Sequence, residues 1–170
     1  MLEIKKATVE DLNEIMDLIQ LVHAQMENHK WYVIDDQKYY EFYLKEGNGI
    51  GYKAVDSKTG KIAGIFIAII PKAEELNLGY DIGFSKEKAD KSVIMDTVAV
   101  LPEYRGHNLQ YRTMMAAEQE LKDLGYRYLL CTVHPENRFS LRNVQKQGYE
   151  IMATKEKYGG FLRHILLKAI

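Results

Sequence analysis

The sequence predicts a mixed α/β fold, a sheet with helices on both of its faces. Apolar residues recur three and four apart in some segments and in short runs in others, so both helices and strands are present. The segments follow the order β-α-α-β-β-β-α-β-α-β-β, which supplies helices to cover a mixed sheet. The chain has 170 residues, 46% hydrophobic and 28% charged, an ordinary globular balance that fits a single domain over residues 1–170.

Leu2 to Lys6 reads as a first strand. Thr8-Val9-Glu10-Asp11 matches a capping box. Leu12, Ile15, Ile19, Val22 and Met26 follow at helical spacing and define one buried face. Asp35-Asp36 caps a second helix, Gln37 to Glu46, which Gly47 stops. Gly47-Asn48-Gly49-Ile50-Gly51 is spaced faintly like a dinucleotide fingerprint, but it follows a helix and precedes a strand, the reverse of what that motif needs. Ile50 to Asp56 and Lys61 to Ile70 form a strand pair around the turn Ser57–Gly60. Pro71 to Lys91 is polar and reads as an irregular connection.

Ser92 to Val100 is a further apolar strand. Leu109 to Leu124 is a helix with Met114, Ala117, Leu121 and Leu124 on one face and Gly125 as its stop. Tyr126 to Val133 is a strand, Asn137 to Gln147 a short helix ended by Gly148, and Tyr149 to Lys155 and Leu162 to Lys168 are closing strands.

Composition narrows the function. With 23 basic against 24 acidic residues the net charge is −1, which gives no general attraction for nucleic acid or an anionic membrane. Cys131 is the only cysteine, so no intramolecular disulfide forms. The charged start MLEIKKATVEDL has no apolar core of a signal peptide. The longest apolar run, Ile62 to Ile70, falls short of the about 20 residues a membrane helix needs. A cytoplasmic protein is the expectation.

The informative stretch is Val98-Ala-Val-Leu-Pro-Glu-Tyr-Arg-Gly-His-Asn-Leu-Gln110, a strand running into a short basic loop and a helix. A loop that turns backbone N–H groups inward at a helix start is a ready anion site. Gly106 permits close approach of a ligand, and Asn108 tolerates a left-handed backbone almost as well as glycine does. Gln110 falls in the first helical turn, where its side chain is free to point away. Arg105 and His107 add positive charge. The bland alternative is a plain helix entrance.

Val98-Ala99-Val100, Pro102, Tyr104 and Arg105-Gly106, followed by Asn137, Ser140 and Gly148-Tyr149, resemble the GNAT superfamily of acyl-CoA-dependent N-acetyltransferases, as does the element order over essentially the whole chain. Asn108 and Gln110 occupy the two signature glycine positions, and Val144 stands where a tyrosine is usual. The resemblance implies a central, mixed but mostly antiparallel sheet flanked by helices on both faces. It implies acetyl-CoA as acyl donor, without a metal, and direct transfer of the acetyl group to a small-molecule or peptide amine in a ternary complex. Neither nucleic acid nor membrane is implied as a partner, and a homodimer is compatible with it. The cofactor-binding residues carried over are Val98, Ala99, Val100, Arg105, Gly106, His107, Asn108, Leu109, Gln110 and Asn137. The strand Val98–Val100 would pair its backbone with the pantetheine arm and offer N–H groups to the thioester carbonyl, where charge develops on attack. The altered loop and missing tyrosine favour a second reading, an acyl-CoA-binding regulatory or sensing module without turnover.

Attack requires a neutral amine, and only about one lysine-like amine in two thousand is neutral at pH 7. A base must remove the proton. Asp96 is the first candidate, since strand alternation would aim it at the cleft and a carboxylate among Ile94, Met95 and Val98 is out of place in a core. Its alternative role is to order a backbone N–H or pair with a cation. His134, after the next strand, is the second candidate. Asn137 reads equally as a pantetheine contact and as a helix N-cap. Cys131 reads as a small buried apolar residue. The aromatic cluster from Trp31 to Tyr43 reads as helix-to-sheet packing, with an acceptor wall as the alternative.

Overall fold

In the computed structural model, which describes residues 1–170, strands run over Leu2–Ala7 (β1), Gly49–Asp56 (β2), Ile62–Ile69 (β3), Ser92–Val100 (β4), Tyr128–Val133 (β5), Glu150–Lys157 (β6) and Phe161–Ala169 (β7). They form one seven-stranded sheet in the order β1-β2-β3-β4-β5-β7-β6. Only β4 and β5 are parallel; every other neighbouring pair is antiparallel. Helices span Leu12–Ala24 (α1), Gln37–Leu44 (α2), Leu78–Asp81 (α3), Lys86–Ala89 (α4), Leu109–Asp123 (α5) and Arg138–Lys146 (α6). This is the mixed, mostly antiparallel sheet with helices on both faces that the sequence led us to expect.

The sequence IAGIFIAI of β3 is buried at every position, which fixes it near the middle of the sheet. Its alternate residues feed separate cores. Ile65, Ile67 and Ile69 pack with Leu12, Ile15 and Ile19 of α1 and Tyr40 and Tyr43 of α2. Phe66 and Ala68 pack on the opposite face with Met114, Ala117 and Leu121 of α5 and Val144 of α6.

Local signals hold with small shifts. Asp11 accepts the Thr8 N–H at 3.0 Å, so the capping interaction is present, but it closes a 3-10 turn (Val9–Asp11) that leads into α1. α1 ends at Ala24, before Met26, and α2 ends at Leu44, before Glu46. β5 begins at Tyr128 and not at Tyr126, because the Tyr126 N–H closes the end of α5 on Leu121 O. Gly49 is required by crowding: a Cβ there would lie 2.5 Å from the carbonyl oxygens of Ala68 and Tyr43.

The segment 71–91 corrects our reading of an irregular connection. It contains α3 and α4, each too short for a periodic apolar pattern. Buried Asn77 ties them together: its Oδ1 accepts from Gly79 N at 3.0 Å and its Nδ2 donates to Ala89 O at 2.9 Å.

Candidate active site

β4 and β5 run side by side only at Ser92–Ile94 against Tyr128–Leu130. Beyond that they part, and a cleft opens between them through the sheet. On the α5/α6 face it is lined by Met95, Val98, Gln110, Met114, Cys131, Asn137, Ser140 and Val144. On the α1/α2 face it is lined by Asp35, Tyr39, Thr97, Tyr158 and Arg163, and encloses about 760 Å³ continuous with solvent. Trp31, Tyr32, Met95, Asp96 and Thr132 line both halves and form the throat.

One edge of β4 is therefore occupied and the other free. Leu101 donates its N–H to Ala63 O of the β3 side at 2.9 Å. By alternation Ala99, opposite Ile65, turns its backbone polar groups the same way, which leaves those of Val98 and Val100 at the open edge. Of the three strand residues read as backbone donors, the flanking two face the cleft.

Asp96 reaches the throat by a route that simple alternation does not predict. Thr97 faces Ile67 and Met95 faces Ala68, so Asp96 is the extra residue of a β-bulge. The bulge switches the parity of β4: Met95 and Val98 share one face, while Ile94 and Ala99 share the other. The residue keeps some exposure to the cleft while its carboxyl is enclosed by protein. Loss of solvation pushes its pKa from 3.8 up to about 6, and the Asp35 charge adds to the rise. Hydrogen bonds from Thr97 and Tyr39 oppose it, the Thr97 Oγ1–H donating to Oδ2 at 2.9 Å. Such a group is ionised at neutral pH and remains basic enough to accept a proton.

The loop after β4 has the form read from its residues. Asn108 adopts φ 56° and ψ 30°, the left-handed conformation, and Gly106 has φ 86°. The backbone N–H groups from Gly106 to Tyr111 find no acceptor within the protein, and the first helical bond of α5 is Arg112 N to Asn108 O at 2.9 Å. Arg105 and His107 are exposed beside them. Buried Leu109 anchors the helix start, and Tyr104 fixes the preceding turn by donating to Asp56 at 2.9 Å. Gln110 departs from our reading: its side chain does not point away but lines the cleft, with Nε2 3.9 Å from Met114 Sδ.

Asn137 is a helix cap, its Oδ1 accepting from Ser140 N at 3.3 Å, and the residue also lines the cleft. Val144 is buried in the cleft wall and brings no hydroxyl. His134 stands outside the cleft lining, and its Nδ1 accepts the Glu136 N–H at 3.1 Å. Cys131 is buried, and burial pushes its thiol up to about 12, well away from thiolate character. The aromatic cluster divides: Tyr40 and Tyr43 are core, whereas Trp31, Tyr32 and Tyr39 line the cleft. Two buried donors at the throat, Trp31 Nε1–H and Tyr32 O–H, have no partner in the protein. Both belong to the aromatic cluster whose alternative reading was an acceptor wall; sequence reasoning missed Arg163, although a cation in the run Phe161-Leu-Arg-His-Ile-Leu-Leu167 was a signal for it. No group of three or more His, Cys, Asp or Glu side chains is placed to hold a metal ion. No helix is long and apolar enough to cross a membrane.

A parallel strand pair thus splays beside a basic loop and the N-terminus of a helix. The acetyltransferase (GNAT) family model matches residues 12–149, and the chain belongs to that family of acetyl-CoA-dependent N-acetyltransferases. Solved structures agree in fold. The Arabidopsis thaliana protein NAA60 in complex with acetyl-CoA superposes with a TM-score of 0.76 at 12% identity, covering 100% of this chain and 99% of that one. An Escherichia coli ribosomal-protein-alanine N-acetyltransferase gives 0.75 at 16% identity, covering 100% and 94%. A Sinorhizobium meliloti phosphinothricin acetyltransferase in complex with acetyl-CoA gives 0.72 at 15%, covering 99% and 88%. No curated protein sequence matches the chain significantly.

Proposed function

We propose that residues 1–170 form a single acetyltransferase domain that moves the acetyl group of acetyl-CoA directly to an amine in a ternary complex. The observation that carries this reading is the cleft through the sheet, with a free β4 edge on its wall and Asp96 at its throat. The loop N–H groups from Gly106 to Tyr111, with Arg105, would hold the pyrophosphate. Val98 and Val100 would align the pantetheine arm along β4 and present N–H groups toward the thioester oxygen.

The amine enters from the α1/α2 face as an ammonium, which Asp96, Asp35 and the aromatic walls favour. Asp96 accepts one proton from it. The freed nitrogen lone pair attacks the thioester carbonyl carbon and a C–N bond forms; the nitrogen releases its second proton to water, the C–S bond breaks, and the leaving thiolate takes up a proton. Val144 cannot supply that proton. Tyr32 can: the residue lines the throat, and burial, with Tyr40 beside it, holds its hydroxyl well above the usual tyrosine value, so it stays protonated. An acyl-cysteine route is disfavoured by the buried Cys131 thiol.

Thiol release from acetyl-CoA across an amine panel, with the acetylated product identified by mass spectrometry, tests the reading. Amine-dependent release is expected. Tight acetyl-CoA binding with no release on any amine would instead mark a binding module, the reading that Val144 favours.

A further inference from the structure

Arg163 is 3% exposed, lines the α1/α2 half of the cleft, and carries a charge that no carboxylate answers. Its Nη1 donates to Leu162 O at 2.9 Å and its Nη2 to Lys30 O at 2.8 Å. A guanidinium has five N–H donors, so two such bonds to neutral carbonyls leave donors unused. The rings of Tyr158 and Phe161 lie 5.9 and 5.5 Å from it, which partly compensates a buried cation without neutralising it. A buried charge without a counter-ion is costly, and here the missing counter-ion would have to come from what the cleft binds.

The surroundings agree on the sign. The bond to Lys30 O sets the guanidinium beside the backbone of Trp31, whose buried Nε1–H is also without an acceptor. Loss of solvation holds the nearby His134 imidazole below its ordinary range, and the Arg163 charge adds to that, with smaller help from His164 and Lys30 against the opposing Glu136. Apart from Arg163, the charged residues lining this half are Asp35 and Asp96. One half-cleft thus offers two carboxylates and a separate unpaired guanidinium.

We propose that the acceptor is a small amine that also carries a carboxylate, an amino-acid-like zwitterion held with its amine toward Asp96 and its carboxylate on Arg163 and Trp31 Nε1. This rests on the acetyl-transfer reading for the fate of the amine, but not for the recognition of the acid. Two short bonds from a guanidinium to a carboxylate combine charge with geometry that an amide cannot match. Loss of one charge-assisted contact corresponds to about tenfold or more in affinity.

The test titrates CoA-loaded protein by calorimetry with free α-, β- and γ-amino acids and with the matching primary amides, for the wild type, Arg163→Gln and Arg163→Lys. At least one acid should bind about tenfold or more tightly than its amide. Arg163→Gln should close that gap, and Arg163→Lys should keep part of it. A merely structural arginine would weaken acid and amide alike. If Arg163→Gln does not fold, the acid–amide comparison on the wild type decides alone. Amides binding as well as acids, or neither binding, overturns the proposal, as does preference for a peptide N-terminus. Parallel thiol-release assays separate the two claims. Acetylation of amides but not acids leaves acetyl transfer standing and removes the zwitterion. Selective acid binding without turnover keeps the zwitterion and removes acetyl transfer.

Discussion

Replacing Asp96 by Asn should make the folded protein more stable and the enzyme slower. The folded carboxyl keeps its proton up to about pH 6, whereas the unfolded one releases it near 3.8. The native state therefore binds more protons across that window, and folding is weakened as pH rises from 3.8 through about 6. At about 1.36 kcal/mol per pH unit, the ionised carboxylate costs the native state up to about 3 kcal/mol at neutral pH. Asparagine removes that charge and can still accept from Thr97, so a gain of about 1–3 kcal/mol is expected above pH 7. For a chain of this size that raises Tm by about 2–10 °C. Turnover should fall about 10²–10⁴-fold, the usual worth of a positioned base. Melting curves at pH 4 and pH 8 read the first effect, and kcat from thiol release at saturating amine between pH 5 and 9 reads the second. The stability gain should vanish at pH 4, and the acidic limb of kcat near pH 6 should disappear in the variant. A variant that melts lower at pH 8 and turns over normally would refute the reasoning and leave Asp96 a structural residue.

The loop gives an ordered series for acetyl-CoA titrations. Asn108→Gly should bind within a few-fold of wild type, Asn108→Val about tenfold more weakly because a β-branched residue resists φ 56°, and Gly106→Val most weakly; equal affinities would reduce the loop to a helix entrance. Arg105→Ala should weaken acetyl-CoA binding more at low salt than at high salt, since the exposed cation acts through a screened field; a salt-independent loss would place its effect in loop structure. Tyr32→Phe should lower kcat while leaving acetyl-CoA affinity unchanged, and an unchanged kcat would free Tyr32 of any role in protonating the thiolate. Leu130→Ala, at a fully buried position facing α1, should cost about 2–5 kcal/mol in denaturant unfolding; a cost below about 1 kcal/mol would contradict the packing.

Much of the fold was legible because its signals are local. Helical spacing marked α1 and α5, apolar runs marked β3 and, around Asp96, β4, and the need for a positive φ before α5 could be read from Asn108. What escaped depends on contacts between distant segments. The bulge that places Asp96 at the throat exists only in the register of β4 against β3, and the alternation expected to aim it there breaks at that residue. The direction of Gln110 is set by the wall that Met114 and β4 build around it. Arg163 is buried only because the distant segment at Lys30 and Trp31 returns over it, which nothing local to β7 announces. The helices between Pro71 and Lys91 are joined through one asparagine, and no periodicity announces that.

Direct acetyl transfer between two partners bound together in the cleft has a kinetic signature. Initial rates of thiol release, measured while acetyl-CoA and the best amine are varied together and checked against intact protein mass, test it most directly. Intersecting double-reciprocal lines, an acetylated amine as product and no acetylated enzyme are expected. Parallel lines with an acetyl group retained on Cys131 would contradict it.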